Sequence, residues 1–71
     1  MFIEKKNLIL NGKKYNYKAS FTLSTLLDYL GFNTSLIVVD YNGAILPKEF
    51  WPQTILKTND SVEILTIAGG G

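Results

Sequence analysis

Asn7-Leu8-Ile9-Leu10 is a short apolar run, and Lys13-Lys14-Tyr15-Asn16-Tyr17-Lys18 alternates aromatic with polar residues. Asn11-Gly12 stands between them. A type I′ turn needs positive φ at both central residues, which Asn-Gly supplies, so the pattern predicts a β-hairpin. On the first strand Leu8 and Leu10 share a face and Ile9 points the other way. On the second, Tyr15 and Tyr17 share a face, opposite Lys14, Asn16 and Lys18. Met1 to Lys6 either extends the first strand or frays.

The period then changes. Leu23, Leu26, Leu27 and Leu30 fall at i, i+3, i+4 and i+7, a single helical stripe. Thr22 suits the N-cap, and Phe21 is placed to pack onto Leu26 one turn in. Gly31 suits the left-handed position after the helix, with Phe32 as its apolar follower. A helix this short needs a sheet to lie on. Leu36 to Tyr41 is rich in β-branched residues and reads as a buried strand, turned by Asn42-Gly43 into a short strand at Ala44 to Leu46. Pro47 and Pro52 bracket one helical or 3₁₀ turn that Trp51 pins by packing. Gln53 to Leu56 reads as a short edge strand, Lys57 to Asp60 as a turn, and Val62 to Ile67 as the last strand. This order predicts a two-layer α+β fold with one main helix on one face of a mixed sheet of four to five strands. The first and last strands are expected side by side in the middle. Residues 1–68 form one domain in this reading, and 69–71 a flexible glycine tail.

Composition narrows the chemistry. The chain has 71 residues, no cysteine and no histidine. Disulfides, thiolate metal sites, a cysteine nucleophile and the commonest general base are thereby excluded. Apolar residues make up 46% of the chain and charged residues 18%, which is too apolar for intrinsic disorder. No apolar run reaches the roughly 18 residues of a membrane span. Net charge is +1 and every basic residue is lysine, so neither nucleic acid nor membrane is an expected partner. Tyr15 and Tyr17 beside lysines could stack on single strands, but a half-buried hairpin explains them better. The acidic residues Glu4, Asp28, Asp40, Glu49, Asp60 and Glu63 are scattered, and most are expected to be solvated. The serines have no histidine to activate them, and the glycines form no phosphate-binding loop. No catalytic residue, metal site or bound cofactor is expected, and the chain is not expected to be an enzyme.

The sequence reaches Gly69-Gly70-Gly71 directly after a strand. At an average glycine usage of about 7%, three in a row arise by chance at odds of roughly 0.03%. Lacking Cβ, such a stretch can enter a narrow channel and approach a ligand closely. A free α-carboxylate at Gly71 is a poor electrophile until a partner activates it, for example as an acyl-adenylate. The plainer alternative is an inert, frayed tail.

The residues together resemble the ThiS family, sulfur carriers of thiamine biosynthesis with a ubiquitin-like β-grasp fold. The resemblance runs from Asn7 to Gly71. It rests on Leu10-Asn11-Gly12, the helix Thr22-Leu23-Ser24-Thr25-Leu26-Leu27, and Val38-Val39-Asp40-Tyr41-Asn42-Gly43-Ala44-Ile45-Leu46-Pro47-Lys48 with Trp51. Asn59-Asp60-Ser61-Val62-Glu63-Ile64 and the Gly-Gly end complete it. The resemblance implies that a ThiF-like enzyme uses MgATP to adenylate Gly71, with Gly69 and Gly70 threading the partner's active site. Sulfur from a cysteine desulfurase then gives a thiocarboxylate, which the thiazole synthase ThiG consumes. The implied protein is a monomer on its own, in the cytoplasm or the plastid stroma. Three alternatives stay open. They are a MoaD-like small subunit of molybdopterin synthase, a ubiquitin-like protein modifier, and a plain interaction domain. The absence of proline in Leu65-Thr66-Ile67-Ala68 weighs against the first.

Alternation along the last strand turns Val62 and Ile64 toward the helix and Glu63, Leu65 and Ile67 outward. Ile9 faces outward on the first strand. If the two strands are neighbours, Ile9, Leu65 and Ile67 form an exposed apolar patch beside the tail, fit for a partner. Cover by Met1 to Lys6 or by loops is the competing expectation.

Overall fold

The structure is a computed structural model that describes residues 6–18 and 20–67. Strands β1 (Lys6–Leu10) and β2 (Lys13–Tyr17) pair antiparallel, with Leu10 opposite Lys13. The turn between them has φ of 50° at Asn11 and 81° at Gly12, the two positive values a type I′ turn requires.

Helix α1 (Leu23–Leu30) starts and stops where its sequence signals stand. Thr22 accepts the Thr25 N–H on its Oγ1 at 3.1 Å. At the other end Gly31 is left-handed. The N–H groups of Gly31 and Phe32 return to the carbonyls of Asp28 and Leu27, both at 3.1 Å. That reciprocal pair is a Schellman motif, and it satisfies carbonyls the helix end would otherwise leave open.

Strand β3 (Ile37–Tyr41) turns through Asn42-Gly43 into the two-residue β4 (Ala44–Ile45), and β5 (Ser61–Thr66) is last. The sheet order is β2-β1-β5-β3-β4. Strand β5 therefore lies at the centre. It runs parallel to β1 and antiparallel to β3. One helix on a mixed five-stranded sheet of this order is the β-grasp arrangement. The leucine stripe is its core: Leu23, Leu26 and Leu27 are buried with Leu8, Val39, Leu56, Val62 and Ile64. Each fully buried aliphatic chain contributes about 1.5–3 kcal/mol relative to exposure.

Lys48–Gln53 is a 3₁₀ helix. Trp51 within it is buried, and its Nε1–H donates to the Leu46 carbonyl at 3.0 Å, so it ties the segment to the end of β4. The edge strand expected at Gln53 to Leu56 does not form. The segment makes a single bridge, Thr22 with Ile55, through Leu23 N–H to Thr54 O and Leu56 N–H to Phe21 O. The partner segment turns into α1 at Leu23 and the Thr54 N–H returns to the Trp51 carbonyl at 3.3 Å, which ends the ladder on one side, and the turn at Lys57 to Asp60 ends it on the other.

Candidate functional site

Val62 and Ile64 are buried under the helix, so the alternate positions of β5 face away from it. Leu65 is 51% exposed and Ile67 47%. Val38 is the register partner of Leu65 and shares its face. The Ile67 N–H donates to the Leu36 carbonyl at 2.7 Å, which brings the 38% exposed Leu36 to the same end. The apolar patch at the exit of β5 is therefore Leu36, Val38, Leu65 and Ile67. Val38 and Leu36, carried by β3 and the 3₁₀ turn before it, were not among the residues expected there. The antiparallel register that places them is a tertiary fact, although the β-branched run at Ile37 to Val39 was its sequence trace.

Ile9 is placed differently from expectation. Strands β1 and β5 are indeed neighbours, but their parallel register sets Ile9 beside Ser61. Leu65 is four positions further along, roughly 13 Å at strand rise. Ile9 is half-buried and lies near the start of β5, away from the exit. The same register puts Lys6 beside the turn at Lys57 to Asp60, at the far end from Ile67. The Asn7 N–H donates to Thr58 Oγ1 at 3.2 Å and the Asn59 N–H to the Asn7 carbonyl at 2.6 Å. Met1 to Lys5, expected to extend β1 or cover the patch, lie outside the described residues. So do Gly69, Gly70 and Gly71.

The start of β5 is built from polar groups. Asp60, read as a turn residue among solvated charges, is buried. Its Oδ2 accepts from the Tyr41 hydroxyl and, at 2.8 Å, from the Lys57 N–H, and its Oδ1 accepts from Asn42 Nδ2 at 3.1 Å. Asn42 Oδ1 in turn accepts the Ser61 N–H at 2.7 Å. Burial works to raise the Asp60 carboxyl. Hydrogen bonds from Tyr41, Lys57 and Asn42, with the Lys57 charge, outweigh it and hold the group below its ordinary value. Burial first, then the bond to Asp60 and its charge, push the Tyr41 phenol up to about 12. Among the described residues these side chains bond to one another and to the Lys57 and Ser61 N–H groups, so the network fixes the start of the strand. Among the described residues no cluster of three metal-ligating side chains occurs, and no helix is long and apolar enough to cross a membrane.

The sequence profile of the ThiS family matches residues 8–71. The ycf40 protein of Trieres chinensis is 41% identical over 66 residues, covering 93% of this chain and 90% of that protein. The thiazole synthase of Paramagnetospirillum magneticum is 36% identical over 64 residues, covering 90% of this chain and 20% of that enzyme. The crystal structure of the thiamine biosynthesis protein ThiS from Geobacter metallireducens superposes with a TM-score of 0.79 at 34% identity, covering 92% of this chain and 99% of that one.

Proposed function

Because the chain belongs to the ThiS family, we propose that it is a sulfur carrier for thiazole formation whose reacting group is the α-carboxylate of Gly71. The observation that carries this reading is the extent of the family match. It spans residues 8–71 and so includes the glycines that follow β5. A carboxylate does not react with a sulfur nucleophile at neutral pH. Its attack on the α-phosphorus of MgATP, in a ThiF-like partner, expels pyrophosphate and gives a mixed anhydride. The terminal sulfur of a desulfurase-derived persulfide then displaces AMP to give an acyl disulfide, and a thiol reductant cleaves its S–S bond, leaving the thiocarboxylate and a disulfide of the thiol. The thiazole synthase removes that sulfur, and the carrier returns with a plain carboxylate. Gly69 and Gly70 keep the arm thin enough to thread both active sites.

The domain supplies recognition. Leu36, Val38, Leu65 and Ile67 present a partly exposed apolar face at the root of the arm, where a docked partner would meet the emerging chain. A similar segment occupies about a fifth of two thiazole synthases, which supports a working relationship between carrier and synthase.

The test is reconstitution. Incubated with a ThiF-like enzyme, MgATP, desulfurase, cysteine and a thiol reductant, the chain gains the mass of one oxygen replaced by sulfur. Removing Gly70 and Gly71 abolishes the change and leaves the unfolding midpoint where it was. An unaltered mass with enzyme that modifies a reference carrier rejects the assignment.

A further inference from the structure

Strand β1 ends at Leu10, opposite Val62, while β5 continues to Thr66. On that side the ladder is continued by a side chain. Asn11 donates its backbone N–H to the Val62 carbonyl at 2.9 Å, and its Oδ1 accepts the Ile64 N–H at 2.7 Å. On the opposite side Ile64 is paired with Val39. The hairpin turn thus grips β5 three residues before Ile67, the last described residue of the exit.

A hairpin needs only a residue that tolerates positive φ at this position, and glycine would serve. The amide oxygen is surplus to the turn and is spent on β5. We propose that Asn11 is a positioning residue for the C-terminal arm: its side-chain oxygen fixes the direction in which β5 leaves the sheet, and so the approach of Gly71 to a partner's active site. This rests on the carrier reading above. The apolar patch does the docking, and Asn11, which lies outside it, sets what fraction of docked carriers have the arm in line for reaction.

Two variants separate the oxygen from the turn. Asn11→Gly keeps the left-handed conformation and deletes the acceptor, and Asn11→Asp keeps both. In Asn11→Gly the Ile64 amide is expected to exchange with solvent about 10-fold faster or more, since its one partner on that side is gone. Adenylation of the full chain by a ThiF-like enzyme is expected to lose roughly 3- to 10-fold in kcat with KM for the carrier unchanged, the pattern of misplacement after docking. Asn11→Asp restores both values to within about 2-fold of the unsubstituted chain. A wild-type kcat for Asn11→Gly, an unchanged Ile64 exchange rate, or an Asn11→Asp as impaired as Asn11→Gly overturns the proposal. If the unsubstituted chain is not adenylated at all, the carrier reading fails and the arm role falls with it. The exchange experiment needs no enzyme, and it reports separately whether the oxygen holds β5.

Discussion

The two ends of β5 are built in opposite ways. At its start, Asp60 gathers Tyr41, Asn42 and the Lys57 N–H, and Asn42 also holds the Ser61 N–H. At its exit, the ladder to β3 runs on one side through Thr66 to the Ile67 N–H on the Leu36 carbonyl, the Asn11 side chain holds Ile64 on the other, and the flanking side chains are apolar and open to solvent. A strand fixed at one end by buried, charge-assisted bonds can present the other end without loosening the core. The difference separates what this chain needs in order to fold from what the proposed carrier would need in order to dock on a partner.

Breaking the start should cost the most. Asp60→Ala leaves the Tyr41, Asn42 and Lys57 donors without their acceptor, and is expected to destabilise by about 3 kcal/mol in urea unfolding at neutral pH. The same bonds give a pH signature. The folded-state pKa of Asp60 is depressed, so its contribution is present above the ordinary carboxylate value of about 4 and is lost as pH falls through the folded value. The Tyr41 phenol is raised to about 12, so its contribution is complete below about pH 10 and is lost as pH climbs toward 12. Unfolding curves across pH should therefore sag at both extremes. Asp60→Asn should flatten the acid limb and Tyr41→Phe the alkaline one.

At the exit the expected effects reverse. Leu65→Glu should change stability by less than about 0.5 kcal/mol, because the side chain is half in water already. It should weaken binding of a ThiF-like partner about 10-fold or more, read by titration calorimetry. A large loss of stability with binding intact would place Leu65 in the core and erase the contrast. The smallest effect concerns Tyr17, which is buried near Asp60 yet whose hydroxyl bonds to none of the described residues. Tyr17→Phe should shift stability by no more than about 0.5 kcal/mol, whereas a loss like that of Asp60→Ala would mean that Tyr17 belongs to the network.

Much of this was legible where chemistry is local. Asn11-Gly12, the leucine stripe, Thr22 and Gly31 each carry a backbone requirement in the residue itself, and each sits where its pattern placed it. The outward turn of Leu65 and Ile67 followed from a period of two. Register did not follow. Nothing in Asn7 to Leu10 says that Ile9 stands beside Ser61, because a parallel pair is joined through the whole intervening chain and no short turn fixes its offset. Asp60 was misread for a related reason. An aspartate in a Lys-Thr-Asn-Asp stretch looks like any turn residue, and only Tyr41 and Asn42, nearly twenty positions away, make it a buried acceptor. The expected strand at Gln53 to Leu56 had β-forming residues but no neighbour long enough to pair with.

The central claim is that Gly71 ends in an acid that other proteins turn into a sulfur donor. The most direct measurement is the intact mass of the native chain isolated from its own cells, with and without a thiazole synthase able to discharge it. The account expects a thiocarboxylate form that accumulates when the synthase is absent. A single carboxylate mass under both conditions, in cells that are making thiazole, would contradict it.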